Sequence, residues 1–169
     1  EIATTAKAQF FDDAGYTDDV DTYLKQDVLY AQVWDTDENR NPQYADTVRA
    51  TVYVGDDASG LVLDTEVLTL TESGVGSGIF QSGAVMLTDT KYPAVNDGVV
   101  SWGRTDTLHV AYTDSNDAAD YASDTALAIE ITTASVSQFF EDASFTDDVD
   151  TYLPRNDVVY LQVMDTDEN

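Results

Sequence analysis

The chain carries an internal repeat, and this feature constrains its fold more than any other. Residues 9–24 read QFFDDAGYTDDVDTYL, and residues 138–153 read QFFEDASFTDDVDTYL. The match resumes after a one-residue insertion, with DVLYAQVWDTDEN at 27–39 against DVVYLQVMDTDEN at 157–169. A long, fixed period of this kind indicates domains arranged in tandem.

The repeat sets the expected domain boundaries. We expect one complete unit at residues 1–133 and the opening part of the next repeat at 134–169. The alternative for 134–169 is a strand donated to a neighbouring unit. A unit of this size is large enough to bury a hydrophobic core.

Apolar residues alternate with a period of two through most of the unit, and this pattern predicts β-strands. In TVRATVYV (47–54), Val48, Ala50, Val52 and Val54 share one face. The other predicted strands lie at 27–34, 61–71, 78–88, 106–113 and 124–133, with a broken first strand at 8–11 and 20–24. Turn residues separate these segments, so the sequence predicts an all-β, immunoglobulin-like Greek-key β-sandwich in tandem repeat.

The charge of the chain is strongly negative. It has 33 acidic residues against 7 basic ones, which gives a net charge of −26. Such a charge destabilises a compact fold by self-repulsion, so we expect bound Ca²⁺ or high salt to neutralise part of it. No basic stripe is present to meet phosphates, which argues against nucleic acid as a partner. No apolar run reaches the length of a membrane span, so membrane insertion is not expected.

Catalytic signatures are weak. The single histidine, His109, lies on a predicted strand and is expected to face outward, without the context of a catalytic triad. Cysteine is absent, which removes disulfides and leaves zinc without its usual ligands. We therefore expect a protein that is not an enzyme and that uses no organic cofactor.

The most specific motif is an acidic loop that follows the strand at 27–34. Oxygen-bearing side chains recur at Asp35, Asp37 and Asn39, and a further carboxylate follows at Asp46. This spacing is similar to the Ca²⁺ loop of the EF-hand and would wrap oxygens around one ion. Arg40 stands where the EF-hand has glycine, and Asp46 stands where it has glutamate. The alternative is a polar loop whose side chains cap turns.

A second acidic loop follows the strand at 106–113. Its candidate ligands are Asp114, Asn116, Asp117 and Asp120. In an immunoglobulin-like sandwich this loop and the loop at 35–46 lie at the same pole, so fold topology predicts that they converge on Ca²⁺.

The second copy repeats the acidic pattern near the junction between units. Its candidate ligands are Glu141, Asp142, Asp165, Asp167 and Asn169. Ca²⁺ bound there would bridge neighbouring units and stiffen the array. The alternative is a solvated acidic surface.

Three blocks, DVLYAQVWDTDEN, NPQYADTVRATV and LTLTESGVGSGIFQSG, resemble acidic tandem repeats of large prokaryotic surface proteins. They are also similar in style to cadherin-like and adhesin-extender domains. The resemblance implies an immunoglobulin-like fold that Ca²⁺ rigidifies between domains. It covers most of the unit but includes no diagnostic linker motif.

These observations predict a structural repeat of a secreted or surface-anchored protein, such as an adhesin stalk, a surface layer or an extracellular filament. The expected partners are neighbouring repeats or identical subunits, which could polymerise through β-strand addition. Two alternatives stay open: a halophilic surface domain without specific Ca²⁺ sites, and a carbohydrate-binding module that contacts a surface glycan.

Overall fold

The fold consists of β-strands joined by turns and loops. A computed structural model describes residues 5–24, 27–56, 59–89, 92–103, 106–129, 135–146, 148–149, 151–153 and 157–165. The strands are β1 (Lys7–Phe11), β2 (Thr22–Leu24), β3 (Val28–Trp34), β4 (Thr47–Asp56), β5 (Leu61–Glu72), β6 (Ile79–Gln81), β7 (Val85–Thr88), β8 (Val99–Ser101), β9 (Asp106–Thr113), β10 (Tyr121–Ile129), β11 (Val136–Phe140) and β12 (Tyr160–Met164). This confirms the all-β class. The described ranges include no helix, and hence none that could cross a membrane.

The chain divides into two compact units, residues 1–130 and 131–169. In the first unit the strands form one hydrogen-bonded path in the order β2-β10-β9-β4-β5-β6-β3-β7-β8, and β1 pairs with β3. Neighbouring strands are antiparallel, except for two parallel pairs, β2 with β10 and β7 with β8. Strands from distant parts of this path contribute to a single core.

The alternation in β4 places its apolar face inside, as its sequence predicts. Val48, Ala50, Val52 and Val54 are all buried in the core, whereas Arg49 is exposed. Burying one Val or Leu side chain fully stabilises a fold by about 1.5–3 kcal/mol. β4 therefore supplies a large share of the core, and its antiparallel pairing with β5 and β9 fixes the position of both neighbours.

Buried or half-buried carboxylates connect segments that strand pairing leaves apart. Three such hydrogen bonds run from Phe10 N to Asp124 Oδ2 (3.0 Å), from Ser101 N to Asp64 Oδ2 (2.7 Å) and from Asp97 N to Glu66 Oε1 (2.9 Å). The first joins β1 to β10, and the other two join the β8 region to β5. Part of the acidic content therefore serves as internal hydrogen-bond acceptors, which buried backbone N–H groups require.

The predicted strand at 78–88 was wrong as one continuous element. It is two short strands, β6 and β7, with a break at 82–84. At the break, Ala31 N donates to the hydroxyl of Ser82 at 2.9 Å rather than to its carbonyl, and Ser82 N donates to Ala31 O. The side chain thus takes the place of one ladder acceptor and interrupts the strand.

His109 alternates with the buried side chains of Leu108 and Val110, so it lies on the outward face of β9, as predicted. It is half-buried, and its ring stacks on Tyr53 with a centroid distance of 4.5 Å and an interplanar angle of 5°. A Cβ atom at Gly55 would lie 3.2 Å from His109 Nε2. The glycine therefore leaves room for the imidazole against the sheet.

The second unit contains a hairpin whose pairing matches that of β1 with β3. Phe11 pairs with Tyr30 in the first unit, and Phe140 pairs with Tyr160 in the second. Phe140 and Tyr160 are the repeat counterparts of Phe11 and Tyr30, once the one-residue insertion is taken into account. The duplicated sequence therefore adopts the same strand register in both places.

The loop that follows each first strand is also the same. Tyr16 and Phe145 occupy equivalent positions, with positive φ angles of 53° and 54°. Tyr23 and Tyr152, also equivalent, each donate a hydroxyl hydrogen bond to the carbonyl of the last residue of that strand, at 2.7 Å and 2.9 Å. A left-handed non-glycine residue is uncommon, so its recurrence shows that the local sequence dictates this loop.

Candidate metal centre

Two loops of the first unit bring four aspartates together. Asp35 and Asp37 follow β3, while Asp114 and Asp120 begin and end the turn between β9 and β10. The N–H of Asp35 donates to the carbonyl of Gly78 at 2.8 Å, and that of Asp114 donates to the carbonyl of Asp120 at 3.0 Å. These bonds continue the strand pairing into both loops and hold the first aspartate of each in place.

The four carboxylates are close enough to share one cation. An oxygen of each lies within 4.8 Å of an oxygen of every other. Two ligands of one Ca²⁺ ion are at most about 5 Å apart, because each Ca–O distance is about 2.3–2.6 Å. Four carboxylates at this separation repel one another unless a proton or a cation neutralises them.

Three of the four carboxylates are buried and incompletely hydrogen-bonded. The exposed fractions are 1% for Asp35, 3% for Asp114 and 9% for Asp120. Oδ1 of Asp35 and Oδ2 of the other two have no hydrogen-bond partner among the described residues. Leaving a buried acceptor unsatisfied costs about 1–3 kcal/mol, and more for a charged group. A cation bound between these oxygens would remove that cost.

The second oxygen of each buried carboxylate is fixed by a protein donor. The donors are Tyr112 Oη to Asp35 Oδ2 (2.6 Å), Asn116 N to Asp114 Oδ1 (2.6 Å) and Ala6 N to Asp120 Oδ1 (2.8 Å). Each carboxylate is therefore oriented by one oxygen and keeps the other for a ligand. Outer hydrogen bonds of this kind orient the ligands of metal sites.

Protonation of Asp35 is coupled to its surroundings. The pKa of Asp35 is raised to about 7, first by burial and then by the neighbouring Asp37 carboxylate, while the hydrogen bond from Tyr112 acts in the opposite direction. Burial, followed by the contact with Asp35, raises the pKa of Tyr112 well above its ordinary value. The tyrosine hydroxyl thus remains a donor, and a cation bound at this centre would compete with a proton on Asp35.

Glu38 ties the two loops together beside the aspartates. It is buried, forms an ion pair with Arg40, and accepts a hydrogen bond from Asn116 Nδ2 at 2.7 Å. Burial raises the pKa of Glu38, whereas the hydrogen bond from Arg40 lowers it. Arg40 also donates to Ser115 Oγ at 2.8 Å. The contacts of Glu38 restrict the relative movement of the loops that carry the aspartates.

Asp46 has a role other than the one that the EF-hand spacing predicts. Its Oδ2 accepts hydrogen bonds from the N–H groups of Arg40 (2.7 Å) and Asn41 (2.6 Å), and it is not in the four-aspartate group. The N–H of Asp46 donates to Glu72 Oε2 at 3.2 Å. Asp46 therefore closes its own loop.

The predicted ligands Asn39, Asn116 and Asp117 have distinct positions. Oδ1 of Asn39 is buried without a hydrogen-bond partner among the described residues. Asn116 orients Asp114 and Glu38, as described above. Asp117 Oδ1 accepts a hydrogen bond from Ala119 N at 3.0 Å, which shapes the turn. Of these three, Asn39 alone presents a buried oxygen that lacks a partner in this part of the structure.

The predicted ligands of the second copy are Glu141, Asp142, Asp165, Asp167 and Asn169. Asp167 and Asn169 lie outside the described residues. Asp142 accepts hydrogen bonds from the N–H groups of Ser144 (2.8 Å) and Thr146 (3.2 Å), so it closes a turn. In the described ranges, neither Glu141 nor Asp165 is in an acidic group of the kind formed by Asp35, Asp37, Asp114 and Asp120.

Sequence reasoning missed Tyr112 and Glu38. Tyr112 follows Leu108 and Val110 in the period-two pattern of β9, which places all three side chains inside. Asp114 lies two residues after Tyr112. The alternation and this short spacing could together have indicated a buried tyrosine beside the acidic loop. Glu38 has no comparable signal, because its burial depends on Arg40 and Asn116 from the surrounding loops.

Comparisons with known proteins leave the family of the chain open. No protein-family model matches it, and no curated protein gives a significant match.

Proposed function

We propose that the first unit is a Ca²⁺-stabilised structural domain. The observation that carries this proposal is the group formed by Asp35, Asp37, Asp114 and Asp120, with three buried carboxylate oxygens that lack partners among the described residues. Two loops that are distant in sequence meet only in the folded state. Ca²⁺ bound there would stabilise the native state selectively, because the unfolded chain does not assemble the group.

The donor set favours Ca²⁺ over the other common structural cations. All four candidate ligands are carboxylates, which are hard oxygen donors, whereas zinc prefers nitrogen and sulfur ligands. Mg²⁺ demands near-ideal octahedral geometry and releases its water molecules reluctantly. A site with several protein carboxylates on loops suits the larger and more flexible coordination shell of Ca²⁺.

The strand pairing supports an immunoglobulin-like arrangement for this domain. β4, β9 and β10 pair in the order expected for strands C, F and G of that fold, and β1, β3 and β7 pair in the order of strands A, B and E. β2 continues the first strand and pairs in parallel with β10, the last strand of the unit. In this assignment the aspartate loops are the B–C and F–G loops, which lie at one pole.

The repeated hairpin supports a tandem array with a mechanical role. We infer a spacer in an adhesin stalk, a surface layer or an extracellular filament of a secreted or surface-anchored protein. Neighbouring repeats or identical subunits would be its partners, with Ca²⁺ between them or strand addition as the means of association. Millimolar Ca²⁺ outside cells would keep such a site loaded.

Thermal unfolding of the full 169-residue chain tests the metal proposal. We expect millimolar CaCl₂ to raise Tm relative to chelator, with a smaller effect of MgCl₂. A ligand at 100 times its Kd stabilises a folded protein by about 2.7 kcal/mol. An identical Tm in Ca²⁺ and chelator would contradict the proposal.

The halophilic alternative is distinguished by the same experiment. The net charge of −26 favours it, because salt screens the repulsion between exposed carboxylates. It predicts that molar NaCl or KCl raises Tm with chelator present and that added Ca²⁺ has no further effect. A response to both would indicate a specific site within a salt-adapted surface.

A further inference from the structure

A cleft of about 320 Å³ opens beside the candidate metal centre, and its lining shares Glu38 and Tyr112 with the surroundings of that centre. Its walls come from β4, β5 and β9 and from the loops that carry Arg40 and Ser115. The metal centre uses aspartates on those loops, whereas none of the four lines the cleft. The cleft can therefore have a ligand of its own.

The cleft contains two of the few cationic side chains of a strongly negative protein. Three Lys or Arg residues lie in the described ranges, namely Lys7, Arg40 and Arg49. Two of them, Arg40 and Arg49, line this cleft. Lys7 lies elsewhere, with its Nζ 4.8 Å from the centre of the Trp34 ring. Glu38 also lines the cleft and pairs with Arg40, so Arg49 is the lining cation whose charge no described ion pair offsets. In a chain of net charge −26, such a cation marks a place where an anion is favoured.

The two arginines are held differently. Arg40 is exposed to the cleft but fixed by Glu38 and by Ser115 Oγ at 2.8 Å. Arg49 is exposed on β4 opposite Thr69 of β5, and it forms no ion pair with any described residue. Its guanidinium can therefore offer two parallel N–H groups to a carboxylate, the geometry that arginine provides and lysine does not.

Hydroxyl groups surround the arginines. Thr47, Thr69 and Thr113 line the cleft on three adjacent strands, are exposed, and have side chains without hydrogen-bond partners among the described residues. The one aromatic ring of the lining, Tyr112, is buried with its hydroxyl engaged by Asp35. Recognition here would rest on hydrogen bonds and charge rather than on stacking.

We propose that the cleft binds the uronate unit of an acidic saccharide. The carboxylate of the sugar pairs with Arg49, and the ring hydroxyls exchange hydrogen bonds with the threonines. The space suits a single sugar ring with bound water, since ligand pockets of a few hundred Å³ hold small molecules. An acidic segment of a second copy is disfavoured, because each copy brings a charge of −26 and long-range repulsion.

The test is an NMR titration of the full chain with glucuronate, with glucose, and with a peptide of residues 12–19, whose sequence is DDAGYTDD. Glucuronate should shift the amide signals of Arg49, Thr69 and Thr113, and glucose should bind at least about tenfold more weakly, as expected for the loss of a charge-assisted hydrogen bond. Equal binding of glucose, or tighter binding of the peptide, would overturn the proposal.

Matched variants separate the cleft from general charge effects. Arg49→Ala should weaken glucuronate binding about tenfold or more, and Arg49→Lys should restore only part of it, because the charge returns without the paired donors. Lys7→Ala removes the same charge away from the cleft and should leave binding unchanged. Equal losses in Arg49→Ala and Lys7→Ala would overturn the assignment to the cleft.

The titration is run both in Ca²⁺ and in chelator, so that the cleft and the metal centre are tested separately. Binding that persists in chelator and depends on Arg49 supports the cleft even if Ca²⁺ has no effect on stability. Signals that move only in Ca²⁺, at Asp37 and Asp120 instead of Arg49, would mean that the sugar coordinates the metal, and this would overturn the proposal.

Discussion

At the scale of single residues, burial alone does not distinguish a structural carboxylate from a ligand. Asp35 and Asp64 are both 1% exposed. Asp64 accepts hydrogen bonds from Ser101 N on one oxygen and from Thr65 N on the other, whereas Asp35 has one oxygen without a partner in the described structure. Protein N–H groups satisfy both oxygens of Asp64, whereas Asp35 Oδ1 needs a proton, a cation or another partner.

Substitution by asparagine should therefore have opposite effects at these two positions. Asp35→Asn should raise the stability of the metal-free chain at pH 8, because it removes a buried charge next to Asp37, and should reduce or abolish the Tm increase with Ca²⁺. Asp64→Asn should lower stability by about 1–3 kcal/mol, because its amide nitrogen would face an N–H donor. Chemical denaturation with Ca²⁺ or chelator measures both effects. A full Ca²⁺ response in Asp35→Asn would contradict the metal centre.

The raised pKa of Asp35 predicts a defined pH dependence for the proposed metal centre. With the pKa at about 7 in the folded state and 3.8 as the ordinary value, the folded metal-free chain binds more protons than the unfolded chain between these values. The contribution of Asp35 to the stability of the folded metal-free chain is therefore fully present below pH 3.8, and it is lost as pH rises through 7.

Calcium affinity should show the converse trend. Below pH 7 the ion must displace the Asp35 proton, so affinity should rise by up to about tenfold per pH unit and level off above pH 7. Calorimetric titration with CaCl₂ at pH 5.5, 6.5 and 8.0 measures this, since one of these values lies above the pKa. Asp64→Asn is the control, because its Ca²⁺ affinity should rise with pH as steeply as that of the unmodified chain. An affinity independent of pH would contradict the coupling of Ca²⁺ binding to a raised Asp35 pKa.

At the scale of elements, alternation predicts where the strands lie but does not always show which face is buried. In β5, Leu61, Leu63 and Val67 form an apolar series, yet all three are exposed, and the side chains that face inward include Asp64 and Glu66. The β8 region presents N–H groups to these carboxylates. A strand's own sequence cannot show that a distant segment supplies its donors.

Two other misses have a similar cause. β8 is three residues long, too short to carry a period, and the break between β6 and β7 depends on Ser82 bonding to Ala31 on another strand. The convergence of the loops at Asp35 and Asp114 was predictable, because strand order alone brings them together. Sequence alone could not decide between turn capping and metal binding for Asp46, because that choice depends on the conformation of its loop.

The seam between β1 and β10 gives a prediction at this scale. The N–H of Phe10, a fully buried residue, donates to Asp124, and the N–H of Ala6 donates to Asp120. Asp124→Ala should leave the Phe10 N–H without its acceptor and lower stability by about 1–3 kcal/mol. Hydrogen exchange of the Phe10 amide should accelerate more than that of amides in β4. Asp117→Ala, in the adjacent turn, is the control. Equal exchange at Phe10 in both variants would show that the hydrogen bond to Asp124 does not protect this amide.

Across the whole molecule, the two copies of the hairpin differ in what covers them. Phe10, Ala31 and Val33 are fully buried in the first unit. Their counterparts in the second unit, Phe139, Leu161 and Val163, are 53%, 55% and 61% exposed. The same local sequence folds into the same hairpin, and its apolar face is buried where β4, β9 and β10 lie against it. The exposed apolar face of the second hairpin is therefore suited to packing against strands equivalent to β4, β9 and β10.

Extending the chain after Asn169 with a second copy of residues 40–133 should supply these strands. Asn169 is the counterpart of Asn39, so the added segment continues the repeat in register. The extended chain should show a second cooperative unfolding transition by calorimetry and slow hydrogen exchange at Phe139. The second domain should be less stable than the first, since Leu161 replaces Ala31 at a fully buried position and overpacking costs about 1–3 kcal/mol. Leu161→Ala should raise its Tm without affecting the first domain. A joined segment of the same composition in scrambled order is the control, and the tandem-array proposal fails if the native segment behaves in the same way.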